Sequence, residues 1–317
     1  MKTNLQHSIE PVSRKKPWYK RLSAQKQLLW MSIPILIYKI IFSYVPLTGW
    51  LMAFQNYKPN KGILGSEWVG FDQFIFLFKD ANFIRDIRNT LGMSVINLVL
   101  GFVTAIFFAI LLNEIKNLPC KKIIQNISYL PHFLSWVIVA SMVSSVLSTE
   151  NGIINEILMF IGIIDKPIAF LSVPKYFWGI VGAANVWKEM GWNTIIYLAA
   201  MSAIDPALYE AASVDGAGRF RKILHITLPS IKSTFIILLI MNLGHILEAG
   251  FEIQYLLGNG LVVDYSETID IFTLKYGIQM NNYSLGTAAG IFKSLVSVIL
   301  VFSANKIAAK MGEEQLM

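Results

Sequence analysis

The sequence predicts an all-α integral membrane protein of six transmembrane helices, with both termini in the cytosol. Three observations predict it. Hydrophobic residues make up 55% of the 317 and charged residues only 15%, with a mean hydropathy of +0.54, well to the apolar side of soluble domains. Apolar runs of membrane length recur along the chain, since about 20 residues rising about 1.5 Å each cross the roughly 30 Å hydrocarbon core. Between two of those runs stands the polar segment Tyr209–Pro229, whose Glu210, Asp215, Arg219, Arg221 and Lys222 are all costly at the bilayer centre.

The spans follow in order. The first runs from about Leu28 to Leu51, the second from about Thr90 to Leu112, and the third from about Tyr129 to Leu147. The fourth covers about Phe177 to Met201 despite Lys188 and Glu189, the fifth about Ser230 to Leu257, and the sixth about Leu285 to Ala308. Basic residues crowd ahead of the first span (Arg14, Lys15, Lys16, Lys20, Arg21, Lys26) and are sparser in the loops assigned outside. The net charge of +7 therefore reads as positive-inside topology and not as nucleic-acid binding. The first apolar run is too long for a secretory signal and ends in YVPLTGW without a small-residue cleavage site, so it reads as a retained helix. Pro17–Leu22, mixing aromatics with bases, suits the headgroup layer. The single cysteine, Cys120, excludes an internal disulfide and reads as a small packing residue.

Within the polar segment, Glu210-Ala211-Ala212 favours a short helix, and Gly216 lets the chain turn where a side chain would collide. Pro229 fits the first turn of the next membrane helix. The product is a knob on the membrane surface, shaped to dock in another protein's cleft.

Glu210-Ala211-Ala212, Asp215-Gly216-Ala217 and Ile226-x-Leu228-Pro229 together resemble the EAA loop of ABC-importer permeases. One position departs, with Ile223 where a Phe is usual. Softer stretches resemble the carbohydrate permeases and their LplB/YteP-type branch. They are PLTG at 46–49 with AFQNY at 53–57, GSEWVGF at 65–71, YLPHF at 129–133, and WKE at 187–189 followed by Gly191-Trp192. The resemblance implies a type I, MetI-like permease fold. It divides the chain into a tail and interfacial segment, 1–27, a permease domain, 28–308, and a C-terminal tail, 309–317. The coupling segment is 205–229. It implies a subunit of an oligosaccharide or complex-glycan importer. The implied partners are a second, homologous permease, two ATPase subunits carrying ATP and Mg, and an extracellular solute-binding lipoprotein. Glu210, Ala211, Ala212, Asp215, Gly216 and Ala217 would meet the ATPase.

Candidates for the substrate path come from polar residues in apolar runs. Asn242, His245, Glu248 and Glu252 recur in the fifth span, the last three within about 60° on a helical wheel. Such a stripe lines a wet path or pairs with Lys188 or Lys293. Phe251, Gln254 and Tyr255 near its outer end suit stacking on, or hydrogen bonding to, a sugar ring. Trp187, Lys188 and Glu189 sit mid-span; adjacent charges point about 100° apart and do not neutralise each other there. One faces the cavity while the other pairs with a neighbour, or the helix breaks at Gly191. The sequence shows no Walker glycine loop, metal-ligand spacing or nucleophile–base pair, so energy comes from a partner. A stand-alone secondary transporter lacks the expected inverted repeat, and a membrane enzyme lacks its acid and base. An importer of amino acids or another small solute is the alternative within the family.

Overall fold

In the computed structural model, residues 26–310 are described. The Pro17–Leu22 interfacial segment and most of the C-terminal tail lie outside them. The chain divides into two compact units, 1–51 and 52–317. In the first, α1 (Lys26–Lys39) passes through a π turn at Ile40–Tyr44 into a tighter 3-10 helix beginning at Val45. Nearly every described side chain there is exposed, including Trp30, Ile35 and Phe42, as on a helix bathed in lipid.

The second unit opens on a two-residue antiparallel pairing, β1 (Gln55–Asn56) with β2 (Glu67–Trp68), a small departure from the all-α expectation. There follow α2 (Asp72–Lys79), α3 (Ala81–Glu114), α4 (Leu118–Tyr129), α5 (Trp136–Val146), α6 (Ile153–Phe160) and α7 (Pro174–Ser202). The C-terminal half holds α8 (Pro206–Val214), α9 (Arg219–Lys222), α10 (Lys232–Gly244), α11 (Phe251–Leu257), α12 (Ile269–Phe272) and α13 (Tyr283–Lys310). Polar caps start several of these. Asp80 accepts from the Asn82 N–H, Asn117 from Cys120 and Asp205 from Ala207, each at an N-cap. Cys120 itself is exposed on α4, against the expectation of a packing role.

Three helical runs, 26–54, 81–114 and 283–310, are long and apolar enough to span a membrane alone. Three more qualify only as bent pairs, so the count reaches six if each pair is one span. The third span therefore departs from a straight helix: α4, with a 3-10 turn at Leu130–Phe133, bends 101° into α5. The extended Leu134 and Ser135 make the corner, while Pro131 sits in the first residues of the 3-10 turn, where a missing N–H is tolerated.

The core forms where α3 runs along α7. Ala105, Ala109 and Leu112 pack on Tyr197, Leu198 and Met201, closed by Ile231. Nearer the other end, Met93, Phe177 and Val181 meet Val139, Ile253 and Leu257. Ala53, Leu77 and Phe83 pack with Phe272, Leu285 and Ala289. Gly191 does not break α7, which is continuous; its Cα instead faces α4, with the Ser128 carbonyl oxygen 2.0 Å from where a Cβ would stand.

Candidate functional site

The knob lies at one end of α3. α8 leaves α7 at 69° and stops in a left-handed Gly216 (φ +73°). The Ala217 N–H donates to Ala212 O at 2.8 Å and the Gly216 N–H to Ser213 O at 3.2 Å, a Schellman closure that satisfies the last helical carbonyls. α9 then begins a return arm. Tyr209 and Thr227 hydroxyls meet at 2.9 Å and lock α8 to that arm. Glu210, Ala211 and Asp215 are exposed, as are Val214 (89%) and Phe220 (84%), so the knob offers a carboxylate beside apolar side chains.

Pro229 does not open the next membrane helix. It lies near the end of a continuous helical arm, 219–230, behind a π turn at Ile223–Thr227, and α10 starts after a 54° bend. The proline ring crowds the carbonyl four residues back, and the wider π register relieves that clash. The π turn at Ile40–Tyr44 likewise precedes Pro46.

The fifth span is also interrupted. α10 ends at Gly244, a turn follows, and Gly250, at φ +79°, opens α11. Two glycines end the helix where periodicity alone continues it. The single-helix stripe is consequently divided. Asn242, His245 and Glu248 line a cavity of about 150 Å³ with Ser94, Asn97 and Gly250. Phe251, Glu252 and Tyr255 line a second of about 440 Å³, with Ser135 and Trp136. Gln254 is fully buried and lines a third hollow with Tyr255. Glu248 meets His245 at 3.1 Å and neither of the lysines expected as partners. Lys293 instead binds Asp270 at 2.6 Å, and Lys188 binds Glu189 at 3.3 Å.

That last pair corrects the expectation that adjacent charges on α7 stay apart. The flexible Lys188 stem carries its ammonium back towards Glu189 and on to the His132 carbonyl, 2.6 Å away. Glu189 also meets His132 Nδ1 at 2.7 Å, and His132 stacks on Trp192 at 4.4 Å. Trp187 stands apart from the polar cavities and lines a separate, apolar hollow with Val139, Val143 and Ile180. The residues 187–189 therefore do not join the Asn242–Glu248 group.

Sequence reasoning missed two features. Asn97 and Asn185 hydrogen-bond at 3.1 Å between α3 and α7 beside Gly250; polar residues inside apolar runs were the available signal. At the far end of α3, Arg85 bonds Glu267, which also holds Lys275 at 2.7 Å. Arg219 approaches Glu114 at 3.7 Å at the opposite end. Between residues 85 and 114 a helix rises about 43 Å, so the Glu267 cluster and the knob sit at opposite ends of α3.

Residues 101–312 match the family described as the binding-protein-dependent transport system inner membrane component. The chain belongs to that family. This inner membrane component is 45% identical to the polygalacturonan/rhamnogalacturonan transport system permease protein YteP of Bacillus subtilis, covering 97% of this chain and 96% of that one. It is 42% identical to protein LplB of the same organism, over 94% and 93% of the two chains. A chain of a bacterial ABC transporter for import of the acidic polysaccharide alginate superposes with a TM-score of 0.85, at 40% identity, over 92% and 98%. The inner membrane component is thus a membrane-embedded transport subunit, not an enzyme.

Proposed function

We propose that this inner membrane component is the multi-pass permease subunit of an ATP-driven importer that carries oligosaccharides or complex-glycan fragments across the cytoplasmic membrane. The observation that carries the reading is likeness over nearly the whole chain to YteP, named for polygalacturonan/rhamnogalacturonan transport, and to a chain of the alginate importer. A related structure holds that importer with an alginate pentasaccharide-bound periplasmic protein, in keeping with cargo delivered by an extracellular binding protein.

The permease pairs with a second, homologous subunit. The 150 Å³ cavity beside His245 and Glu248 is smaller than a typical ligand site of about 300–1,000 Å³, as half of a shared site would be. Both termini and the knob face the cytosol, where each knob seats in a groove on one of two ATPase subunits. Glu210 supplies the charge and Val214 and Phe220 the apolar contact. ATP and Mg are bound by those ATPases. When ATP draws them together, the knobs move together and the cavity turns from inward-facing to outward-facing; hydrolysis reverses the swing. The lock between Tyr209 and Thr227 makes α8 and its return arm one lever.

Reconstitution with the partner permease, ATPase and binding protein tests this. ATP-dependent uptake of a galacturonan or alginate oligosaccharide into proteoliposomes is the expected result. Uptake of amino acids with none of any oligosaccharide would overturn it.

A further inference from the structure

We propose that the hollow under the 258–279 segment is a saccharide subsite sized for a single sugar ring, separate from the His245–Glu248 cavity. The proposal rests on the oligosaccharide-importer reading for its biological role, but not for its chemistry. The hollow measures about 260 Å³ and is walled by Gln254, Tyr255, Ser266, Glu267, Lys275 and Gln279. It lies at the end of α3 remote from the knob, because Glu267 is tied to Arg85.

Its walls are set before any ligand arrives. Glu267 is held by Arg85 through one carboxylate oxygen and by Lys275 through the other, and its carbonyl accepts from Asn89 at 2.9 Å. Gly258 packs so closely that a Cβ there would lie 2.7 Å from Gln254 O and 3.2 Å from Ser266 Oγ; only glycine lets this wall close. Fixed polar groups bind with less ordering cost than mobile ones.

The groups left for a ligand match a polyol. Gln254 is fully buried and its Nε2 donates to Ala249 O, while its Oε1 has no hydrogen-bond partner among the described residues. With no exposed surface, Gln254 closes the floor, and the groups that face a ligand are those at the rim. Lys275 uses one N–H on Glu267 and keeps two more, and the Gln279 amide is at an exposed position beside it. Glu267 is shared between Arg85 and Lys275, so what the rim offers a hydroxyl is the remaining ammonium N–H groups and the Gln279 amide. The half-exposed Tyr255 ring supplies an apolar face for the C–H side of a pyranose. Tyr255 also lines the neighbouring 440 Å³ cavity and stacks on Phe251 at 5.6 Å, giving a ring a continuous aromatic surface from one hollow to the next.

The test uses the full importer in nanodiscs, with galactose as probe, saturation-transfer NMR as readout, and leucine as a solute of similar size lacking hydroxyls. A Cβ on Gly260 would meet nothing within 4 Å, so Gly260→Trp overhangs the hollow without disturbing a packed neighbour. Transfer to galactose but not leucine is expected in the wild type, and reduced at least about fivefold in Gly260→Trp and in Gln279→Ala. Equal melting temperatures and ATPase co-purification show that both variants fold. Transfer unchanged in both variants, or absent from a wild type that imports oligosaccharide, overturns the subsite. A wild type that binds galactose in this hollow but imports no oligosaccharide leaves the subsite standing and removes the importer reading.

Discussion

Lys188 and Glu189, neighbours on α7, close an ion pair of 3.3 Å within a helix that never breaks. Lys188 is 5% exposed, and its ammonium sits 5.1 Å over the Trp136 ring while donating to the His132 carbonyl. His132 lies in the 3-10 turn at the 101° bend, so this one cluster pins the corner between α4 and α5 to α7. Membrane surroundings explain why it is compact: a lone charge there is costly, and each group finds its partner within reach.

Glu189→Gln leaves the Lys188 charge undercompensated. Breaking a buried pair from one side costs about 3–5 kcal/mol; with Glu189 partly exposed, roughly 2–4 kcal/mol is expected. The melting temperature of the detergent-purified complex should fall, and Lys188→Met in the same chain should restore part of it. An unchanged melting temperature in Glu189→Gln would show the pair does not hold the corner.

Gly191→Ala places a Cβ 2.0 Å from the Ser128 carbonyl oxygen and 2.5 Å from its carbon. Backbone cannot step aside as a side chain tip can, so α4 and α7 must separate, at the upper end of the roughly 1–3 kcal/mol typical of overpacking. Gly101→Ala, where a Cβ meets nothing within 4 Å, is neutral or gains up to about 1 kcal/mol. Comparing the expression and melting of the two variants checks this.

At Gly216 the space is open and the strain is purely torsional, with φ +73° and nothing within 4 Å of a Cβ. Gly216→Val should cost roughly 1–3 kcal/mol locally, and Gly216→Asn far less, because Asn tolerates the left-handed region. Uptake and ATPase co-purification should rank glycine, then asparagine, then valine. Wild-type uptake in the valine variant would refute the ordering.

Glu210→Lys changes an exposed side chain on α8, so fold stability should move by no more than about 0.5 kcal/mol. Co-purified ATPase should drop, or its hydrolysis should lose its dependence on cargo, as charge reversal at an interface predicts. Normal ATPase recovery together with normal uptake would remove Glu210 from the contact.

Glu248 pairs with His245 on an exposed turn, not with a buried lysine, and this decides between two outcomes. Glu248→Gln should assemble normally and retain uptake if the path needs only hydrogen bonding; Glu248→Leu should assemble normally but import less. Loss of complex yield in the Gln variant would mean that the carboxylate is structural.

The amino-acid sequence by itself determined what depends on local chemistry. The fourth and sixth spans read at about 177–201 and 285–308 lie close to the helices at 174–202 and 283–310, because crossing the bilayer asks for about 20 residues of helix. The knob was legible for the same reason: Glu210-Ala211-Ala212 favours helix, and only glycine enters the Gly216 turn cheaply. Tertiary structure decided the rest. Whether the chain turns by 101° at Leu134 and Ser135, or Gly244 and Gly250 split another span, depends on which neighbour receives the redirected chain, and hydropathy carries no record of that neighbour. The same holds for Glu267: Arg85 lies 182 residues away in sequence, and only packing of the 258–279 segment against α3 brings the two charges together. Short-range propensity is written residue by residue, whereas a contact across the chain exists only once the helices between have folded.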